Sequence, residues 1–226
     1  MAFAEVASKR ASGMVNGDSG TLAFPGGGVT SGDICVIQGA MWASAGAPVT
    51  VTLTDTLGTT YSITYGTVIA GEKTFIGWGV APSTGANTVT VNPAGSSSDF
   101  SYSIDAFTGT SPALDVNGGS TTGTSSSPAD ALTTLTENAL ILGVMTHDGS
   151  TQTITPGGSY TQIGEHESNT NMQCHNAVFR VATTAQAYTA DWTTALGPLW
   201  AAQTLALKET VVGGIPFLVT APYRPY

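Results

Sequence analysis

The residue types best suited to binding a metal ion are concentrated in residues 147–175. They are the three histidines and two further candidate ligands, His147, His166, His175, Asp148 and Cys174. Imidazole, thiolate and carboxylate groups that converge on one point can bind zinc. Zinc-binding sequences usually carry a closely spaced ligand pair such as C-x-x-C, and this stretch has none. We therefore predict no metal site and no cofactor.

The strands expected around these histidines separate two of them. Period-2 alternation over residues 160–166 and 173–181 predicts a β-hairpin. His166 then lies near its tip, whereas His175 lies on a face shared with Ala177 and Phe179. We expect one histidine at the rim and the other partly buried.

Two carboxylates in "GEHES", Glu165 and Glu167, are spaced to lie on one face of a strand. Retaining glycosidases of the concanavalin-like jelly-roll class arrange their acidic pair in a similar way. Those enzymes carry a longer pattern, E-x-D-x-x-E, whereas Ser168 and Asn169 follow here. We interpret the pair as a solvated hairpin end and predict that the protein is not an enzyme.

Two short motifs look like functional loops but lack residues that such loops need. "GDSG" at residues 17–20 is similar to the nucleophile motif of trypsin-like proteases, yet no histidine precedes Ser19. "DVNGG" at residues 115–119 begins like a calcium loop but is followed by serine and threonine instead of a bidentate acid. Both motifs are predicted to be turns.

The four tryptophans divide into two pairs. Trp78 and Trp192 alternate in phase with apolar neighbours, which predicts core packing. Trp42 and Trp200 are the candidates for stacking on sugar rings, a role that requires exposure.

Composition excludes several classes of function. Fifteen acidic residues against six basic ones give a net charge of -9, which repels nucleic acid. No apolar run reaches the about 18 residues that span a membrane, and Glu5 interrupts the only stretch that could form a signal peptide. We expect synthesis in a host cytoplasm without export, and two free core thiols at Cys35 and Cys174.

Alternating β-branched and aromatic residues, separated by turn residues, predict an all-β fold. Residues 49–66 are expected to form a hairpin with its turn at Asp55 to Gly58. The polar residues 118–130 are expected to form a long surface loop, with an interdomain linker as the alternative. Strands before and after that loop are expected to interleave in two facing sheets. The prediction is one antiparallel β-sandwich domain over residues 1–208, followed by an extended C-terminal arm over residues 209–226.

The order of several segments resembles a known family. "VTSGDICVI", "PVTVTLTDTLGTTYSITYG", "GANTVTV", "FSYSIDAFTG", "ENALILGVM" and "LWAAQTLALK" together are similar to a jelly-roll β-sandwich domain of phage virion proteins and bacterial extracellular proteins. The resemblance covers residues 1–208. It implies a single jelly roll that serves as a structural or surface-binding module, and it carries no catalytic residues.

The C-terminal residues predict a docking arm. A Gly213-Gly214 hinge precedes apolar residues and three prolines, which stiffen the chain in an extended form. The residues expected to dock are Ile215, Pro216, Phe217, Leu218, Val219, Tyr223, Arg224 and Tyr226. The alternative is that the arm folds back over an edge of its own sandwich.

The resemblance and the unexported start together predict a non-enzymatic phage structural protein on the virion surface, most simply a capsid decoration or cement protein. Its expected partners are the major capsid protein or another virion protein, and further copies of itself, as in a trimer. The alternatives are a carbohydrate-binding adhesion module that binds a glycan, a tail or fibre component, and a jelly-roll glycoside hydrolase.

Overall fold

A computed structural model of the chain describes residues 3–16, 19–43, 50–94, 97–109, 111–149, 151–167 and 174–210. These residues form strands and turns, and no helix among them is long and apolar enough to cross a membrane. The strands are β1 (Ala4–Glu5), β2 (Ala11–Asn16), β3 (Gly20–Ala23), β4 (Ile34–Ala43), β5 (Val51–Asp55), β6 (Ser62–Tyr65), β7 (Glu72–Val80), β8 (Thr88–Pro93), β9 (Ser97–Thr108), β10 (Pro112–Thr124), β11 (Ala129–Thr133), β12 (Leu140–Asp148), β13 (Ile154–Pro156), β14 (Thr161–His166), β15 (His175–Val181), β16 (Ala187–Thr194) and β17 (Leu199–Glu209).

The strands form four antiparallel sheets. The first large sheet has the order β1-β9-β4-β7-β6, with β2 also paired to β9, and the second has the order β10-β17-β12-β15-β14. The small sheets have the orders β3-β8-β5 and β11-β16-β13. Each strand from β2 to β9 therefore has a counterpart eight strands later in the chain. The counterparts β10 to β17 are paired in the same order as β2 to β9. The all-β, antiparallel prediction is confirmed.

The four sheets form four layers, and a buried apolar cluster fills each of the three spaces between them. One cluster, which includes Ile37 and Val91, fills the space between the first large sheet and β3-β8-β5. A second, which includes Trp192, lies between the other large sheet and its small sheet. The third, which includes Val36 and Leu142, packs the two large sheets against each other. Each large sheet is consequently buried on both faces.

This layering explains two kinds of strand sequence. In β4, Cys35 faces one apolar cluster and Val36 faces another, so the strand is an almost continuous buried run. In β16, buried and exposed residues alternate strictly, because one face of its small sheet is exposed.

The expected hairpin over residues 49–66 is wrong. β5 pairs with β8 and β6 pairs with β7, so the chain crosses between two sheets after Asp55. The turn itself is present, since Gly58 has a φ of 80° and its N–H points to the carbonyl of Asp55 at 3.4 Å. The Asp55 carboxylate accepts hydrogen bonds from the N–H of Thr59 at 2.9 Å and the Tyr61 hydroxyl at 2.8 Å, which fix the crossover.

The polar stretch at residues 118–130 is also not the loop that was expected. β10 continues to Thr124 and pairs with β17 from Pro112 opposite Glu209 to Thr124 opposite Leu199. Bulges interrupt this register on both sides of residues 116–117. The motif "DVNGG", predicted to be a turn, lies in this bulged part of β10. β10 is polar because it is an edge strand. The expected interleaving is wrong as well, since each sheet contains strands from only one half of the chain.

Candidate functional site

Polar side chains are buried between the two large sheets. Gln38 Nε2 donates a hydrogen bond to the carbonyl of Gly143 at 2.8 Å. Gln203 bonds Thr74 at 3.2 Å through Oε1 and Thr64 at 2.9 Å through Nε2. Because such groups are costly to bury without partners, these bonds favour one alignment of the sheets over others.

His175 lies in the same interface and is fully buried. Its Nε2 is 2.7 Å from Ser103 Oγ, and its Nδ1 is 2.8 Å from Ser101 Oγ. Burial, with a smaller contribution from His166, lowers the pKa of His175 to about 3. The imidazole is therefore neutral, and it accepts a hydrogen bond from one serine hydroxyl and donates a hydrogen bond to the other.

Arg10 joins the N-terminal segment to both large sheets. Its Nε donates to Asp105 at 3.0 Å, and its Nη1 donates to the carbonyl of Gln162 at 2.7 Å. Burial raises the pKa of Asp105 to about 7, although Arg10 opposes that shift. The guanidinium also lies over the ring of Phe179.

His147, Cys174 and Glu167 lie side by side at one end of the second large sheet. The β12–β15 register ends with Met145 opposite Asn176, so His147 and Cys174 are the next neighbours on one face. The β14–β15 register reaches His166 opposite His175, which places Glu167 on the other side of Cys174. One ligand atom from each of the three residues lies within 4.8 Å of the other two.

Hydrogen bonds hold two of these side chains in place. His147 Nε2 is 3.1 Å from Glu167 Oε1. The backbone N–H of Gln152 donates to Glu167 Oε2 at 3.2 Å, and the Gln152 Nε2 lies 3.5 Å from His147 Nδ1. Because Gln152 Oε1 accepts the N–H of Leu196 at 2.8 Å, its NH₂ group faces Nδ1. Nδ1 is thus the unprotonated nitrogen, and Nε2–H donates to Glu167.

A buried carboxyl group lies near this cluster. Glu72 Oε2 is 2.5 Å from Thr146 Oγ1, which is also 2.7 Å from the carbonyl of Cys174. The Thr146 hydroxyl is the donor to both oxygens, so they share its single proton. Burial, with smaller contributions from Asp148 and Glu167, raises the pKa of Glu72 well above its usual range.

The structure brings together only part of the candidate ligand set. His147 and Cys174 meet, and Glu167 joins them, whereas His166 contacts the sulfur of Met14 and His175 bonds two serines. The paired carboxylates have separate partners, since Glu165 accepts a hydrogen bond from Gln162 at 3.0 Å. Both cysteines are buried and neither forms a disulfide, as predicted.

The tryptophans are mostly core residues. The prediction that Trp78 and Trp192 are buried is confirmed. Trp200 is 5% exposed and packs in the cluster that contains Trp192, so it cannot serve as a sugar-stacking surface. Trp42 is half-buried.

Two predicted features lie outside the described residues, wholly or in part. Gly17 and Asp18 of "GDSG" are outside them, as are all the predicted docking residues, Ile215, Pro216, Phe217, Leu218, Val219, Tyr223, Arg224 and Tyr226. The last described residue, Thr210, bonds the carbonyl of Ser111 through its N–H at 3.2 Å and its hydroxyl at 2.6 Å.

Two sequence comparisons give no family assignment. No protein-family model matches the sequence, and no protein of curated function matches it.

Proposed function

We propose that this chain is a non-enzymatic phage structural protein that decorates the capsid exterior and docks through the part of its C-terminal arm that follows Thr210. The observation that carries the proposal is the position of β17. This strand lies between β10 and β12 in its sheet, and its end is paired as far as Glu209 opposite Pro112. A segment that follows β17 therefore starts from a strand end that is held in its sheet by pairing with β10.

The strand order also supports this assignment. In each half, a large sheet with the central order β2-β9-β4-β7, or β10-β17-β12-β15, faces a sheet with the order β3-β8-β5, or β11-β16-β13. We infer that each half is a jelly roll, a fold used by viral capsid proteins and lectins. The chain then carries two packed jelly rolls in place of the single one expected.

The outer faces of the small sheets are uncharged except at Asp191. Thr52 and Thr54 lie on the face of one small sheet, and Thr189 and Thr193 on the face of the other. Hydroxyl-rich faces of this kind suit an exterior protein that remains soluble with few charges.

The test is to purify virions of the phage that encodes the chain and to count its copies per particle. We expect a copy number that matches the capsid lattice. Absence from the particles would overturn the proposal, and a low number confined to tails would assign the chain to the tail or fibre instead.

A further inference from the structure

One row of side chains in the C-terminal half has the composition of a transition-metal site. Cys174 lies between His147 and Glu167, and their order follows from the pairing of β12, β15 and β14. One ligand atom from each residue lies within 4.8 Å of the other two. We propose that His147, Cys174 and Glu167 bind a divalent transition-metal ion of the zinc class. This role is independent of the proposed docking of the C-terminal arm.

The distances suit such an ion. Ligand atoms at about 2.0–2.3 Å from a tetrahedral zinc lie about 3.3–3.8 Å from one another. His147 Nε2 and Glu167 Oε1 are already 3.1 Å apart, so a small separation of these two atoms admits the ion. The Cys174 sulfur needs to move toward the other two ligand atoms by about 1 Å at most.

The donor types select the metal. Thiolate together with imidazole favours zinc and its neighbours over calcium or magnesium, which prefer oxygen ligands. Three protein ligands leave one coordination position for water. The side chain of Glu167 is 11% exposed while that of His147 is fully buried, so an ion would enter past Glu167.

The proton balance is one proton released for each ion bound. The thiol of Cys174 loses its proton to solvent, and the imidazole proton of His147 moves from Nε2 to Nδ1. Gln152 must then turn its amide oxygen toward Nδ1–H, at the loss of its bond from the N–H of Leu196. The bound ion would fasten the ends of β12, β14 and β15 together.

The experiment uses the untagged full chain, stripped of metal with a chelator and titrated with Co²⁺ and then Zn²⁺. We expect a thiolate-to-cobalt charge-transfer band that saturates at one Co²⁺ per chain and is displaced by Zn²⁺. We also expect zinc to raise the Tm.

Two variants and a control decide the outcome. Cys174→Ser should lose the charge-transfer band, and Glu167→Gln should weaken zinc binding by at least ~10-fold while keeping the band. Cys35→Ser should behave like the wild type, because Cys35 is a buried thiol in the other half. Far-UV circular dichroism checks that each variant is folded. Absence of the band in the wild type, or its persistence in folded Cys174→Ser, would overturn the proposal.

Discussion

Ser103 and His175 belong to different halves of the chain and meet between the two large sheets, with Ser103 Oγ 2.7 Å from His175 Nε2. Ser103 lies on β9 and His175 on β15, so this contact and the one between Ser101 and His175 link strands from the two halves. Both side chains of the Ser103–His175 pair are fully buried. The pair therefore contributes to stability only while both partners are present.

Ser103→Ala should lower the free energy of unfolding by about 1–3 kcal/mol, because it leaves one nitrogen of a buried imidazole without its partner. Urea denaturation followed by tryptophan fluorescence measures the change. Ser127→Ala is the matched control, since Ser127 is exposed and its loss should cost less than about 0.5 kcal/mol. Equal stabilities of the two variants would contradict the role assigned to Ser103.

Acid should destabilise the wild type through His175. Its pKa is about 3 in the folded protein and about 6.5 when unfolded, so between these values the unfolded chain binds more protons. Stability from this residue is complete above about pH 6.5 and falls toward pH 3, by at most about 1.4 kcal/mol per pH unit.

Comparison with His175→Asn isolates this effect, because Asp105 and Glu72 have raised pKa values and act in the opposite direction. In denaturation of both proteins, we expect the wild type to have the larger free energy of unfolding at pH 7, and we expect this difference from His175→Asn to shrink as the pH falls to 4. This range covers most of the titration of His175. If the difference in the free energy of unfolding between the two proteins does not change with pH, His175 is not held neutral.

The sequence predicted the strands well and their pairing poorly. Alternation identifies β5 and β6, but the choice between a hairpin and a crossover depends on Asp55 bonding Tyr61 and Asn87, contacts that arise only in the fold. β10 was mistaken for a loop because an edge strand, half solvated and bulged, has a loop-like composition.

The row of His147, Cys174 and Glu167 could not be inferred from the sequence for a related reason. His147, Cys174 and Glu167 are separated in sequence, and their spacing matches no common ligand motif. Only the register of β12, β14 and β15 places them in one row. The predicted pairing of the β14 and β15 segments is present, but that prediction did not include Glu167, and the pairing with β12 could not be inferred.

Removal of residues 211–226 should leave a folded protein that no longer binds the particle. β17 ends at Glu209, and its pairing with β10 and β12 is formed by residues that the truncation keeps. Thermal unfolding and co-sedimentation with particles that lack the protein measure the two effects. The wild-type chain is the control for both.

The fold-back alternative predicts a different result. A groove of about 310 Å³, lined by residues that include Trp78, Val80 and Pro112, lies next to the Ser111–Thr210 contact. If the arm packs there, truncation should lower the Tm and change the fluorescence of the tryptophans. Retained particle binding by the truncated chain would contradict docking through the arm.

The most direct test of the central claim is quantitative mass spectrometry of purified virions, with the major capsid protein as the internal standard. The decoration role predicts a fixed ratio of this chain to the capsid protein that is set by the lattice, and loss of this chain from particles assembled with the version truncated after Thr210. Virions that contain none of the chain would contradict the account.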